Sequence, residues 1–214
     1  MCLLLVPNSI TSEPIPHIEL TPNNHIAVRG TITNAVADSF TKDIILNDPL
    51  YVFIDSNGGS VMAGNRMMEQ LSQRNITCIA TKAYSMAFVL LQACTTRYVL
   101  STSTAMQHQQ SLGVRGDLMA VQSYLDMVHA MEEHLTKFQA DRIGMHPDKF
   151  KTLTNTEWWL FGQDIIDEGV ADGLTTVSCS KDLIRQNVSM VVEGYLSDSI
   201  HTFNACPLIT NALD

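Results

Sequence analysis

Acyl-transfer chemistry needs a nucleophile, a base, a group that orients the base, and two backbone amides placed to receive a developing oxyanion. Ser85 is the candidate nucleophile. It stands in Thr81-Lys82-Ala83-Tyr84-Ser85-Met86-Ala87-Phe88, where the β-branched apolar run Ile76 to Ala80 gives way to the helix-like run Met86 to Cys94. A serine at a strand-to-helix turn can hold its hydroxyl clear of the sheet, while the next amide points out of a helix N-terminus toward negative charge. The competing reading is a plain N-cap, its hydroxyl bonded to an amide of the first turn. His108, in Met106-Gln107-His108-Gln109, follows the strand pattern Thr104 to Gln107, so its ring could reach the rim that carries Ser85. A lone histidine is more often structural, so His108 needs partners to count. Gly58-Gly59 can turn an amide toward a ligand because glycine tolerates unusual φ/ψ, although a loop ahead of a helix would look the same.

The elements that must position these residues are legible from periodicity. Ile26-Ala27-Val28 reads as a strand, Val36 to Leu46 as a helix with Phe40, Ile44 and Ile45 on one face, and Leu50 to Ile54 as a strand buried on both faces. Asp55-Ser56-Asn57-Gly58-Gly59-Ser60 leads into a helix over Val61 to Gln73. Then come the strand Ile76 to Ala80, the helix through Cys94, and strands at Tyr98-Val99-Leu100 and Thr104 to Gln107. Strands alternating with helices of this length predict βαβ crossovers and a mostly parallel sheet. Ligands in such sheets sit beyond the carboxyl ends of strands, where Gly58-Gly59 and Ser85 both fall. The longest helical signal runs from Gly116 to about Arg142, ended by Gly144 and Pro147. Its length exceeds what a domain of this size covers, so packing against another subunit is expected. His129 and His134 on it lack metal-site spacing. Val188 to Tyr195 is a possible strand, and the last 15 residues carry little pattern.

The whole chain bounds the answer. Its 214 residues, 45% hydrophobic and 16% charged, suit one domain with appendages. A net charge of −9 without a Lys/Arg cluster argues against nucleic acid as a partner. No apolar run is long enough to span a membrane, and Met1 to Val6 lacks the flank of a signal peptide. Five cysteines, Cys2, Cys78, Cys94, Cys179 and Cys206, form no C-x-x-C, so reduced thiols and a cytoplasmic setting are expected, with no metal site.

An α/β-hydrolase is disfavoured, because Ser85 is not flanked as G-x-S-x-G and the order Ser…His…acid is wrong for that fold. Taken in order, the segments from Ile26 to Val177 instead resemble the ClpP serine peptidases, whose fold is shared more distantly with the crotonases. Asp55-Ser56-Asn57-Gly58-Gly59-Ser60-Val61 is similar to that family's N-S-P-G-G-S-V, which implies the Gly59 amide as one oxyanion donor. Tyr84-Ser85-Met86-Ala87 resembles its A-S-M-G/A turn, implying Ser85 as nucleophile and the Met86 amide as second donor. Met106-Gln107-His108-Gln109 is similar to M-x-H-Q-P, implying His108 as general base, and Ile165 to Asp172 resembles A-x-E-Y-G-L-x-D. Three positions depart. Glu157-Trp158-Trp159-Leu160 stands for D-x-F-L, so the implied acid is Glu157, one methylene longer; Gln110 replaces a proline; and the tail from Ser178 is longer than usual.

The resemblance implies an α/β fold, a ClpP/crotonase-like spiral of ββα units with a long protruding handle helix over about 116–142. The expected divisions are an N-terminal arm at 1–24, a peptidase domain at 25–177 and a C-terminal extension of unassigned role at 178–214. Function is expected to be serine endopeptidase action without a cofactor. An extended substrate would lie between Gly58-Gly59-Ser60-Val61 and Leu112-Gly113-Val114. Expected partners are copies of the chain in two stacked seven-membered rings and an AAA+ ATPase unfoldase, since this chain has no G-x-x-x-x-G-K-[ST] of its own. Two readings compete: a non-catalytic ring subunit or scaffold, and an acyl-CoA enzyme of crotonase type.

Overall fold

The computed structural model describes residues 14–192, 199–209 and 212–213. After β1 (His17–Leu20) and β2 (His25–Ile32) come α1 (Asn34–Asn47), β3 (Tyr51–Gly59), α2 (Val61–Ser72), β4 (Thr77–Tyr84), α3 (Met86–Ala93) and β5 (Thr96–Gln107). The long helix α4 (Leu118–Ile143) is followed by α5 (Pro147–Thr154), β6 (Trp158–Phe161), α6 (Gln163–Asp167), β7 (Gly173–Leu174) and β8 (Thr176–Cys179). The last described part holds α7 (Lys181–Ile184), β9 (Asn187–Val192), β10 (Ser199–Asn204) and β11 (Ala212–Leu213).

The central sheet is ordered β2-β3-β4-β5-β6, and β7 also pairs with β5. The β2/β3, β3/β4 and β4/β5 pairs are parallel and joined by α1, α2 and α3, as the alternation predicts, while β6 closes the sheet antiparallel to β5. Val52, Phe53 and Ile54 of β3 are all fully buried, which is why that run carries no polar alternation. The pleat sends Val52 and Ile54 into the main core with the helices, and Phe53 to the opposite face beside Ile79, Leu20 and Leu183. Helix starts follow side-chain caps: Thr33 accepts from the Val36 amide at 3.2 Å and Ser60 from the Ala63 amide at 3.3 Å. Gly144, at φ 77°, ends α4 in the left-handed conformation its sequence position suggested.

Several boundaries move in an informative direction. β3 runs through Asp55 to Gly59, so the glycines close a strand and are not a loop. β4 continues to Tyr84, directly into Ser85. The strands expected at Tyr98 and Thr104 are one strand, β5, with a register shift opposite the stretch between Ala80 and Lys82. Each extension carries the chain to the same edge of the sheet.

Residues near the ends join the fold. β1 pairs in parallel with β8, His17 opposite Thr176, and buries Ile18 and Leu20 against Leu183 and Cys206. Arg29 on β2 donates to the carbonyls of Asn204 (3.1 Å) and Ile209 (2.8 Å) and lies 5.2 Å from the Phe203 ring centre. Residues 1–13 of the expected arm and 193–195 of the possible strand lie outside the described residues.

The expectation of reduced thiols is corrected: Cys78 pairs with Cys94 and Cys179 with Cys206. Periodicity could not show this, because both pairings are set by the return of distant chain. The Thr95 amide bonds back to Ile76 O at 3.0 Å, which brings the end of α3 beside the start of β4 and places the Cys78 and Cys94 Cα atoms 5.8 Å apart. The tail does the same for Cys206, whose neighbour Ala205 donates to Gln186 O at 2.8 Å. Cys2 lies outside the described residues, and the cysteine argument for a reducing compartment no longer holds.

Candidate active site

Every residue of α3 is buried, so the helix runs as an apolar rod through the core. Fully burying side chains such as Phe88, Leu90 and Leu91 contributes roughly 1.5–3 kcal/mol each, which fixes the helix and therefore its first residue. Ser85 precedes it at φ 54° and ψ −119°, a conformation that a non-glycine residue holds only under constraint. The constraints are visible. The Ser85 amide donates to Met106 O at 2.8 Å, and Ser85 O accepts from the Phe88 amide at 3.0 Å. The Ser85 hydroxyl makes no capping hydrogen bond to the helix, which separates this serine from the N-cap reading.

Gly58 explains how the turn fits. At φ 85°, a Cβ there would lie 2.5 Å from Tyr84 O, 2.8 Å from Met86 N and 2.8 Å from Ser85 Cβ. Only glycine lets the end of β3 come this close to the turn. Gly59, at φ 148°, is similarly pressed against β2, where a Cβ would stand 2.4 Å from Ile32 O. Ser56 holds this end of β3 to β2, donating to Gly30 O at 2.6 Å and accepting from the Gly58 amide at 3.1 Å.

A cavity of about 310 Å³ opens at this edge, lined by Ser85, Met86, Gly59, Val61 and His108. Its far wall comes from α4 and α5, including Glu132, Gln139, Lys151 and Thr154. The structure thus brings the expected nucleophile, base and both expected oxyanion residues to one cavity. Gly58 and Ser60 do other work: one packs beneath the turn, the other caps α2. Leu112 and Gly113 lie exposed in the irregular segment after β5, outside the cavity lining.

Glu157 is placed differently from the expectation. It sits at φ 60° just before β6, exposed, and its Oε2 accepts from Trp159 Nε1 at 3.0 Å. It does not line the cavity, and among the described residues no hydrogen bond reaches the His108 ring. What sequence reasoning missed is a pair of carboxamides, Gln107 and Gln139, hydrogen-bonded to each other in the cavity wall. The signal was present as two polar residues at positions of otherwise apolar pattern. Among the described residues no three His, Cys, Asp or Glu side chains converge as metal ligands would.

The sequence of residues 16–178 matches the family model described as Clp protease. The chain belongs to the Clp protease family. Peptidase activity is the class of chemistry this membership carries. Among its relatives, the ATP-dependent Clp protease proteolytic subunit 2 of Pseudomonas aeruginosa is 24% identical over 155 residues, 66% of this chain and 77% of that protein. The proteolytic subunit 1 of Shouchella clausii is 29% identical, over 71% of this chain and 84% of its own. The proteolytic subunit of Ligilactobacillus salivarius is 26% identical, over 70% and 81%. In the Clp protease family's terms α4 is the handle helix, and it starts and ends within two residues of the stretch read from the sequence.

Proposed function

We propose that this chain is a serine endopeptidase that acts as the proteolytic subunit of a ring assembly. The observation that carries the reading is Ser85: a non-glycine residue held at positive φ between a strand and a buried helix, its hydroxyl free of the helix cap, and lining a cavity together with His108. In this reading Ser85 Oγ attacks the peptide carbonyl while His108 takes its proton. The Gly59 and Met86 amides hold the oxyanion, and His108 returns the proton to the leaving amine. Glu157 is the orienting acid, and to act it exchanges the Trp159 indole for the His108 ring; catalytic hydrogen bonds are commonly incomplete before substrate is bound. An extended peptide lies along Gly59-Ser60-Val61 on one side and Leu112-Gly113 on the other.

Residues 25–177 hold this machinery, and 178–214 are an extension, of which Leu183 and Cys206 pack with Phe53 and Ile79 on the sheet face opposite the main helices. Rings built through the handle, stacked in pairs of seven, and an AAA+ unfoldase belong to the same reading. The relatives' names support the ATP-dependent part, since each is a subunit of an ATP-dependent protease. A cytoplasmic setting is included in it; among the described residues no helix is long and apolar enough to cross a membrane.

The position of Glu157 favours one competitor, a ring subunit that keeps the fold without catalysis. Hydrolysis of a fluorogenic peptide by the purified protein, and its loss in Ser85→Ala, separates the two. Equal cleavage by wild type and Ser85→Ala would overturn the serine mechanism.

A further inference from the structure

Resting on the Ser85–His108 reading, we infer that Gln107, held by Gln139, is a positioning residue that sets the nucleophile turn and the base relative to each other. The carboxamide of Gln107 reaches three groups. Its Nε2 donates to Gln139 Oε1 at 2.5 Å and to Ser85 O at 3.4 Å, and its Oε1 accepts from the His108 amide at 2.9 Å. One side chain therefore ties the serine's carbonyl, the histidine's backbone and the handle helix. Gln139 is fixed in turn by its own Nε2 donating to Leu135 O at 2.9 Å.

The two residues are 5% and 4% exposed. Burying two carboxamides costs free energy that an apolar pair would avoid, unless their hydrogen bonds are made. Here both amides are engaged, and what they engage is the site. Ser85 is in a backbone conformation that persists only where its surroundings over-determine it. His108 begins the irregular segment after β5, beyond the last ladder pair, Gln107 with Trp158. Its amide is anchored by Gln107, which holds the backbone from which the ring projects. Neither contact touches a substrate, which makes the role one of positioning.

The two jobs of the pair separate by mutation. Gln107→Leu removes both tethers and orphans Gln139, so activity and stability fall together. The double variant Gln107→Leu/Gln139→Leu replaces the pair by apolar groups of similar volume, which removes the orphaned carboxamide and recovers much of the stability without restoring the tethers. The experiment follows labelling of the assembled, full-length protein by a fluorophosphonate, measuring the maximal labelling rate and the half-saturating concentration, with melting temperature alongside. The expected result is a maximal rate lowered about 10²-fold in Gln107→Leu and still lowered in the double variant, with little change in half-saturation and a melting temperature that recovers in the double. Gln139→Leu alone, which leaves both tethers, loses much less. A double variant whose labelling rate recovers with its melting temperature overturns the positioning role while leaving Ser85 as nucleophile. A wild type that is not labelled at Ser85 overturns the nucleophile, and this inference with it.

Discussion

Glu157 is the residue on which the proposed triad turns. A glutamate reaches one methylene further than the aspartate whose position it takes, and in the free chain that reach is spent on the Trp159 indole, 3.0 Å away. Trp159 is itself placed by the nucleophile strand, its ring 5.0 Å and edge-on from that of Tyr84. In the proposed reading the exchange of partners starts from an exposed side chain. Glu157→Gln should lower kcat on a peptide substrate by about 10² to 10⁴, because the amide stabilises no imidazolium and can hold the wrong tautomer. An unchanged kcat would leave a Ser85–His108 dyad. That Ser85 and His108 would meet at one rim was legible from residue type and order; the geometry of Glu157 was not, because a short sequence context fixes a position along the chain and not the rotamer or partner of its side chain.

The element that makes the site possible is the end of β3. The sequence showed Gly58-Gly59 as a flexible pair, whereas the fold uses them as two close approaches, Gly58 under the Ser85 turn and Gly59 against Ile32. Gly58→Ala should therefore cost activity out of proportion to one methyl group. Its Cβ would overlap Tyr84 O and Met86 N and displace both the proposed nucleophile and one proposed oxyanion donor. The expected outcome is loss of peptide hydrolysis in a variant whose far-ultraviolet circular dichroism still shows the fold; hydrolysis at the wild-type rate would mean the turn has room that the geometry denies it. Strand and helix identity came through well because β3, α3 and α4 are long and strongly patterned. The pairing of β1 with β8 did not, since a four-residue strand among prolines has no periodic signal and is stabilised only by residues about 159 positions away.

Across the whole molecule, the closing motif is locked by charge. Asp172 accepts from Arg97 through its backbone amide at 2.8 Å, its Nε at 3.2 Å and a third bond from Nη2, and Arg142 lies 3.8 Å away. Partial burial pushes the Asp172 carboxyl up, but the bonds and charge of Arg97, helped by Arg142, outweigh it and hold the carboxyl below its usual value. A depressed folded-state value means that this contribution is complete above the ordinary carboxylate range and is lost as pH falls through the folded value. The melting-temperature difference between wild type and Asp172→Asn should be largest at neutral pH and shrink toward zero in acid; a difference independent of pH would contradict the charge lock. The handle offers an assembly prediction at the same scale. Its 26 residues extend about 39 Å, and Leu118 and Met119 at its start are 81% and 78% exposed. Charging that end with Leu118→Asp/Met119→Asp should reduce the oligomer seen by analytical ultracentrifugation to smaller species, and an unchanged distribution would remove this end of the handle from the interface.

The most direct test of the central claim is intact-mass analysis of the purified, assembled protein after exposure to a fluorophosphonate, with Ser85→Ala in parallel. One adduct per chain is expected in the wild type and none in the variant. No adduct on an assembled wild type, or an adduct that survives Ser85→Ala, would contradict it.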